Sequence, residues 1–222
     1  MLALEPDHLS VYTLTLDDPD AEGLTGLDGD HLPVSRGARA WRERAAAQQS
    51  DERAAEMELL TDELAEAAGL QRYEIANLAR PGHESRHNLL YWRRRPYLAL
   101  GPGAHASDGA LRRTWNAARL DRYIGALDAG RLPPEGFEEV DAATVIAERA
   151  ILGLRLRDGI TAELAAEPAL EPGLAWACAH GLVEETGGRI RLTRSGRLLA
   201  DEVFTRLLPS PGQAAAASAG AG

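Results

Sequence analysis

The stretch richest in residues able to do chemistry is Pro81-Gly82-His83-Glu84-Ser85-Arg86-His87-Asn88-Leu89-Leu90-Tyr91-Trp92, followed by Gly101-Pro102-Gly103-Ala104-His105. Two chemistries compete for it. His83-Glu84-Ser85-Arg86-His87 fits the H-E-x-x-H pattern, in which two histidines one helical turn apart bind zinc and the glutamate acts as base. Its surroundings disagree. Pro81-Gly82 would break a helix that carried His83 well inside, and no third ligand is evident: the next glutamate is Glu135, with His105 and Asp108 closer. A zinc-dependent hydrolase is therefore a remote alternative. The other chemistry is recognition of a flat aromatic ligand. If the segment is helical, His87 and Tyr91 lie one turn apart, with Asn88 and Trp92 adjacent. Imidazole can ligate haem iron and aromatic rings can stack on a porphyrin. Arg86, Arg93, Arg94 and Arg95 flank the segment, and guanidinium groups pair well with propionates. Aromatic residues at this spacing also serve as plain core, and a histidine beside them as a packing residue, so spacing alone leaves both roles open.

The elements that must position these residues can be read in outline. Residues 8–16 are rich in β-branched and aromatic types, with apolar residues on both faces, which predicts a strand buried on two sides as in a parallel sheet. Residues 17–34 read as a loop and about 36–48 as a helix. Ser50 or Asp51 can cap a further helix in which Met57, Leu60, Leu64 and Ala68 repeat at helical spacing, and Gly69 ends it. With a short strand over 71–76, the order suggests a βαβ unit. The glycines of 101–105 suit a tight turn better than a phosphate cradle, leaving His105 to pack or hydrogen-bond near the cleft. Arg113–Asn116 suits a strand and Asp121–Leu127 a helix. Pro133, Pro134 and Gly136 mark a candidate boundary.

From residue 140 the texture changes. Helices are expected over about 141–153 and 171–180. Leu182–Glu185 and Arg189–Leu192 make a hairpin about Gly187-Gly188. Thr193 or Ser195 caps a last helix carrying Leu198, Leu199, Val203 and Leu207. The set is winged-helix-like. The candidate recognition helix, 171–180, has no arginine or lysine, which argues against reading DNA. Cys178, beside Trp176 and Ala177, reads as a small buried residue. Residues 209–222, all Pro, Gly, Ala, Ser and Gln, read as a disordered tail.

Composition sets outer limits. A net charge of −10 argues against general affinity for nucleic acid or anionic lipid. No stretch is long and apolar enough for a membrane span. All 24 basic residues are arginine, which a GC-rich genome explains without invoking function. With one cysteine no internal disulfide forms, so a cytoplasmic location is the expectation. The several thiolates that a [4Fe–4S] cluster needs are missing.

Taken in order, Glu74-Ile75-Ala76-Asn77, Pro81-Gly82, Ser85-Arg86-His87-Asn88-x-x-Tyr91-Trp92, Tyr97-Leu98-x-Leu100-Gly101-Pro102-Gly103-Ala104-His105 and Arg113-x-Trp115-Asn116 closely resemble one family. It is the HemW-type radical SAM proteins, haem chaperones related to the oxygen-independent coproporphyrinogen III oxidases. Leu9-Ser10-Val11-Tyr12-x-Leu14 resembles a late barrel strand of that family, and residues 150–208 its C-terminal module. The resemblance implies an α/β fold: the C-terminal part of a partial (β/α) radical SAM barrel over 1–132, then a winged-helix-like domain over 133–208. It implies that His87, Asn88, Tyr91 and Trp92 are associated with haem, and that Tyr12 and Leu14 lie where the related oxidases line the adenosyl pocket. Family members bind S-adenosylmethionine and a [4Fe–4S] cluster through a three-cysteine loop that is absent here. The expectation is a haem chaperone-like protein that does no adenosyl-radical chemistry by itself. The alternative is a porphyrinogen oxidative decarboxylase lacking its cluster-binding half. The partners expected are haem or a porphyrin and a haem-receiving protein, with self-association through the unpaired edge of the opening strand.

Overall fold

A computed structural model describes residues 2–13 and 50–209. The loop and helix expected over 17–48, residue Leu14 and the tail from 210 onward lie outside the described residues. Helix α1 (Asp51–Ala67) starts where the Ser50 hydroxyl accepts the Arg53 N–H at 3.2 Å, with Asp51 and Glu52 in the first turn to complement the helix dipole. Its apolar stripe is not its buried face. Met57, Leu60 and Leu64 are more than half exposed, while Asp62 and Ala65 are turned inward.

Strands β1 (His8–Ser10), β2 (Gln71–Arg72) and β3 (Asn77–Ala79) form a sheet in the order β1-β3-β2. Both pairings are antiparallel, which corrects the expected parallel βαβ unit. The reason lies at residues 73–76. The Glu74 carboxylate accepts the Ala76 N–H at 2.9 Å and bonds the Asn77 amide, closing a turn. The chain then folds back, and β3 inserts between β1 and β2. Strand β1 is correspondingly short and only half-buried rather than covered on both faces.

Helix α2 (Arg86–Trp92) leads to a second antiparallel sheet of β4 (His105–Ser107), β5 (Arg112–Asn116) and β6 (Pro134–Glu139), with helix α3 (Leu120–Asp128) between the last two strands. Pairing with β5 makes β6 part of this sheet, so the expected boundary at 132/133 falls just before a strand of the same layer. Gly136 lies under the Trp115 indole, where any Cβ would clash with the ring.

The remainder follows the winged-helix order. Helix α4 (Ala142–Arg155) is capped by Asp141, which accepts the Thr144 N–H at 2.9 Å. Then come β7 (Ile160–Thr161), α5 (Ala162–Ala165), α6 (Glu171–Ala179) and the hairpin of β8 (Val183–Thr186) and β9 (Arg189–Leu192). The hairpin turns on Gly187 and Gly188, both at positive φ (59° and 73°), the conformation a tight two-residue turn demands. Thr193 caps α7 (Arg194–Leu198), and the chain breaks at Leu199 before α8 (Ala200–Leu207). The main core lies here. Leu154, Ile160, Leu170 and Val203 are at most 2% exposed, and each contributes about 2 kcal/mol of burial. The core beside β1–β3 is smaller among the described residues, built on Ala65, Leu70 and Leu78.

Candidate functional site

Helix α2 exists because Ser85 caps it, its hydroxyl accepting the Asn88 N–H at 3.3 Å. It is anchored by Tyr73, whose phenol oxygen accepts the Ser85 N–H at 3.3 Å and lies 3.0 Å from His8 Nε2. Burial, offset in part by bonds from Ser85 and the Asn88 side chain, pushes the Tyr73 phenol up, so it stays neutral as a hinge of this junction. The half-buried Asn88 side chain thus approaches the same phenol.

His87 and Tyr91 are the presented pair. The Tyr91 hydroxyl lies 2.9 Å from His87 Nε2, and the rings meet edge to face at 4.8 Å. Tyr91 meets Tyr97 in the same manner at 4.6 Å, extending an aromatic ladder toward the second sheet. In the tautomer where Nε2–H donates to the Tyr91 oxygen, Nδ1 keeps its lone pair and is the nitrogen able to act as a ligand, one ring nitrogen's hydrogen bond selecting the other for a metal. His87 is exposed. The donor set therefore fits haem: a reachable imidazole, aromatic edges alongside and guanidinium groups in the following residues.

Trp92 faces the other way. The Arg155 guanidinium from α4 covers its ring at 4.2 Å and bonds Glu74 at 2.9 Å through Nε. Glu74 is fully buried, and the Trp92 indole N–H is buried with no acceptor. Backbone bonds reinforce the joint, Arg157 N–H donating to the Tyr73 carbonyl at 3.0 Å. Sequence reasoning missed Tyr73, Tyr97 and Arg155. Tyr97 carried a weak signal inside a family-like block and Tyr73 one just before the first block, whereas Arg155 is 63 positions from Trp92 and carried none.

The C-terminal end of α2 has an unusual cap. The Arg95 N–H bonds the Leu90 carbonyl at 2.8 Å and the Arg94 N–H bonds that of Tyr91 at 3.0 Å, the two bonds of a Schellman motif. The position that ordinarily takes glycine is Arg94, at φ 46°. A residue with a Cβ costs about 1 kcal/mol there. Its side chain offsets this by pairing with Glu148 of α4 at 3.1 Å, 10% exposed, and Arg113 of β5 bonds the same carboxylate. Helix α4 therefore holds the C-terminal end of α2, through Arg155 and Glu148.

The remaining expected residues stand apart. Tyr12 lies beyond the end of β1, 74% exposed, on a groove between α1 and α7, and is not brought to α2. Leu14 is outside the described residues. His83 precedes α2, 3.7 Å from Asp7; since the helix begins at Arg86, His83 and His87 do not share a helical face, and no metal-ligating group of three forms among the described residues. The Gly101–His105 turn is held by Asn116, which donates to the Gly101 carbonyl at 2.9 Å, and its histidine lies exposed, 5.8 Å from the Trp115 ring. Cys178 is exposed on α6 rather than buried. A lone thiol does not fit a [4Fe–4S] cluster. No helix among the described residues is long and apolar enough to cross a membrane.

The fold is similar to part of a coproporphyrinogen III oxidase (HemN) from Escherichia coli, described as a radical SAM enzyme, at TM-score 0.63 over 93% of this chain, 49% of that chain and 17% identity. The HemN C-terminal domain family matches residues 140–199. The heme chaperone HemW of Mycobacterium tuberculosis is 38% identical over 203 residues, covering 91% of this chain and 47% of the relative. That of Bacillus subtilis is 32% identical over 215 residues, covering 93% and 52%. The chain spans about half the length of the curated relatives it matches. It has the α/β architecture of the C-terminal part of a radical SAM protein of the HemN type. It belongs to the HemW-type radical SAM family, of which it represents the C-terminal portion.

Proposed function

We propose that this chain is the haem-presenting portion of a haem chaperone, holding haem through His87, with Tyr91 beside it and Trp92 anchoring the same helix from its other side. The observation that carries the reading is the exposed His87–Tyr91 pair, 2.9 Å apart, on a short helix fixed at both ends. Tyr91 orients the imidazole and leaves Nδ1 as the ligand. Bound haem would supply an iron centre with open axial positions; the chain's part is to fix the ring, to shield one edge with Tyr91 and Tyr97, and to release the cargo to a haem-receiving protein. Tyr12 is proposed as a contact for the adenosyl group only when a cluster-binding half is present. A cytoplasmic location is proposed alongside.

Haemin titration of the chain, followed in the Soret region, tests this. Saturable binding with a shifted Soret band is expected, lost in His87→Ala and altered in position in Tyr91→Phe. Unchanged binding by a folded His87→Ala variant would remove His87 from the account.

A further inference from the structure

Beyond the α2 pair, the chain carries an open cleft of about 1040 Å³. One wall is the end of α2 and the β4–β5 turn. The other is the end of α4, strand β7 and the wing. Seven arginines line it against two aspartates, in a chain whose net charge is −10. Two of the arginines, Arg94 and Arg191, are matched to Glu148 and Glu184. Arg157 and Arg189 bond neutral oxygens, of Gln71 and of the Asp158 and Gly159 carbonyls, rather than a carboxylate, although Arg189 lies near enough to Glu163 to hold its carboxyl down. Arg93, Arg95 and Arg149 have no ion-pair partner among the described residues. Unpaired like charges gathered in a concave surface repel one another, and that repulsion is relieved by an anion. The Schellman cap contributes directly: with Arg94 turned onto Glu148, its neighbours Arg93 and Arg95 are left lining the cleft.

We propose that this cleft is a carboxylate-binding site that takes the propionates of a tetrapyrrole and makes the chain selective for the free acid. The identity of the ligand rests on the haem reading above; the site itself does not. Guanidinium groups recognise carboxylates in a planar, two-pronged manner. Trp92 ends the helix that begins beside His87 and lines the cleft. Trp92 faces away from His87, but the rise between them along α2 is only about 7.5 Å, less than the breadth of a porphyrin. The winged-helix-like module then contributes ligand contacts through Arg149, Arg157 and Arg189, which assigns it a role other than packing.

The test compares metal-free protoporphyrin with its dimethyl ester, and haemin with haemin dimethyl ester, all in the same detergent micelles with the full chain. The metal-free pair reports on the cleft without axial ligation. The free acids are expected to bind at least about tenfold more tightly than the esters, as loss of charge-assisted hydrogen bonds implies. Arg93→Gln/Arg149→Gln should remove that preference and leave ester binding unchanged, and Arg131→Gln, remote from the cleft, should have no effect. Arg95→Gln serves where the double variant fails to fold by circular dichroism. Equal binding of metal-free acid and ester, no binding of the metal-free acid, or equal losses in Arg131→Gln would overturn the proposal. A His87-dependent Soret shift indifferent to esterification would sink the cleft and keep the haem reading. Arginine-dependent binding of the metal-free acid without a His87-dependent shift would do the reverse.

Discussion

Leu154, Leu170 and Val203, all but fully buried, interlock α4, α6 and α8, whereas the layer around β1–β3 places charges where a second core would be expected. Asp62 of α1 accepts from Arg72 and from Arg197 of α7, each at 2.6 Å, and Arg72 also meets Glu58 at 2.7 Å. Glu74, fully buried, is held by Arg155. The winged-helix-like module thus carries its own hydrophobic core. The β1–β3 layer is tied to that module by directional charges, and its outer helix face remains apolar and exposed. Hydrophobic burial tolerates small displacements; a buried ion pair does not, and losing one member strands the other. The α2 site sits between these two regions and inherits the geometry of both.

Deleting packing on the stronger side should give the largest effect. Leu154→Ala is expected to destabilise the chain by about 4 kcal/mol through transfer and cavity terms, measured by guanidinium unfolding followed by far-UV circular dichroism. A loss below about 1 kcal/mol would mean that the module is not the main source of stability.

Asp62→Ala should cost about 3 kcal/mol but act on one region. An early thermal transition should release the β1–β3 layer while the winged-helix-like module melts unchanged; a single cooperative shift would erase the distinction. Acid should have the same effect. Burial alone would raise the Asp62 carboxyl, but the Arg197 and Arg72 guanidinium groups outweigh it and hold it below the ordinary range. A depressed folded-state pKa gives stability that is complete above the unfolded value and lost as pH falls through the folded one. The early transition should therefore emerge below about pH 4 and be absent from the acid response of Asp62→Ala.

Arg155→Met removes the cover of Trp92 and one partner of Glu74. It should cost about 2 kcal/mol and weaken haemin binding without abolishing it, which a titration beside His87→Ala would separate. The smallest effect is expected from Met57→Glu/Leu60→Glu on the outer face of α1. Stability should change by less than about 0.5 kcal/mol, while self-association, read by sedimentation velocity, should fall. Unchanged association would direct attention to the β1 edge instead.

What the sequence determined by itself was local or carried in a contiguous block. Ser50, Asp141 and Thr193 cap helices because a short polar side chain reaches a backbone N–H three residues on. Gly187-Gly188 turns a hairpin because both residues adopt positive φ. The His87-to-Trp92 block and its family resemblance were legible for the same reason, since a short motif travels intact. The tertiary structure decided whatever depended on distant partners. Periodicity marked Met57, Leu60 and Leu64 as one stripe but could not say that charges from Arg72 and Arg197 would draw the opposite face inward. It could not show that β3 would fold back between β1 and β2, because the buried Glu74 that makes the turn is held by Arg155, 81 residues away. The arginine cleft likewise exists only once α2 and the wing face each other. Backbone hydrogen bonds and caps act over three or four residues, whereas buried charges and clefts are set by whatever the folded chain brings alongside.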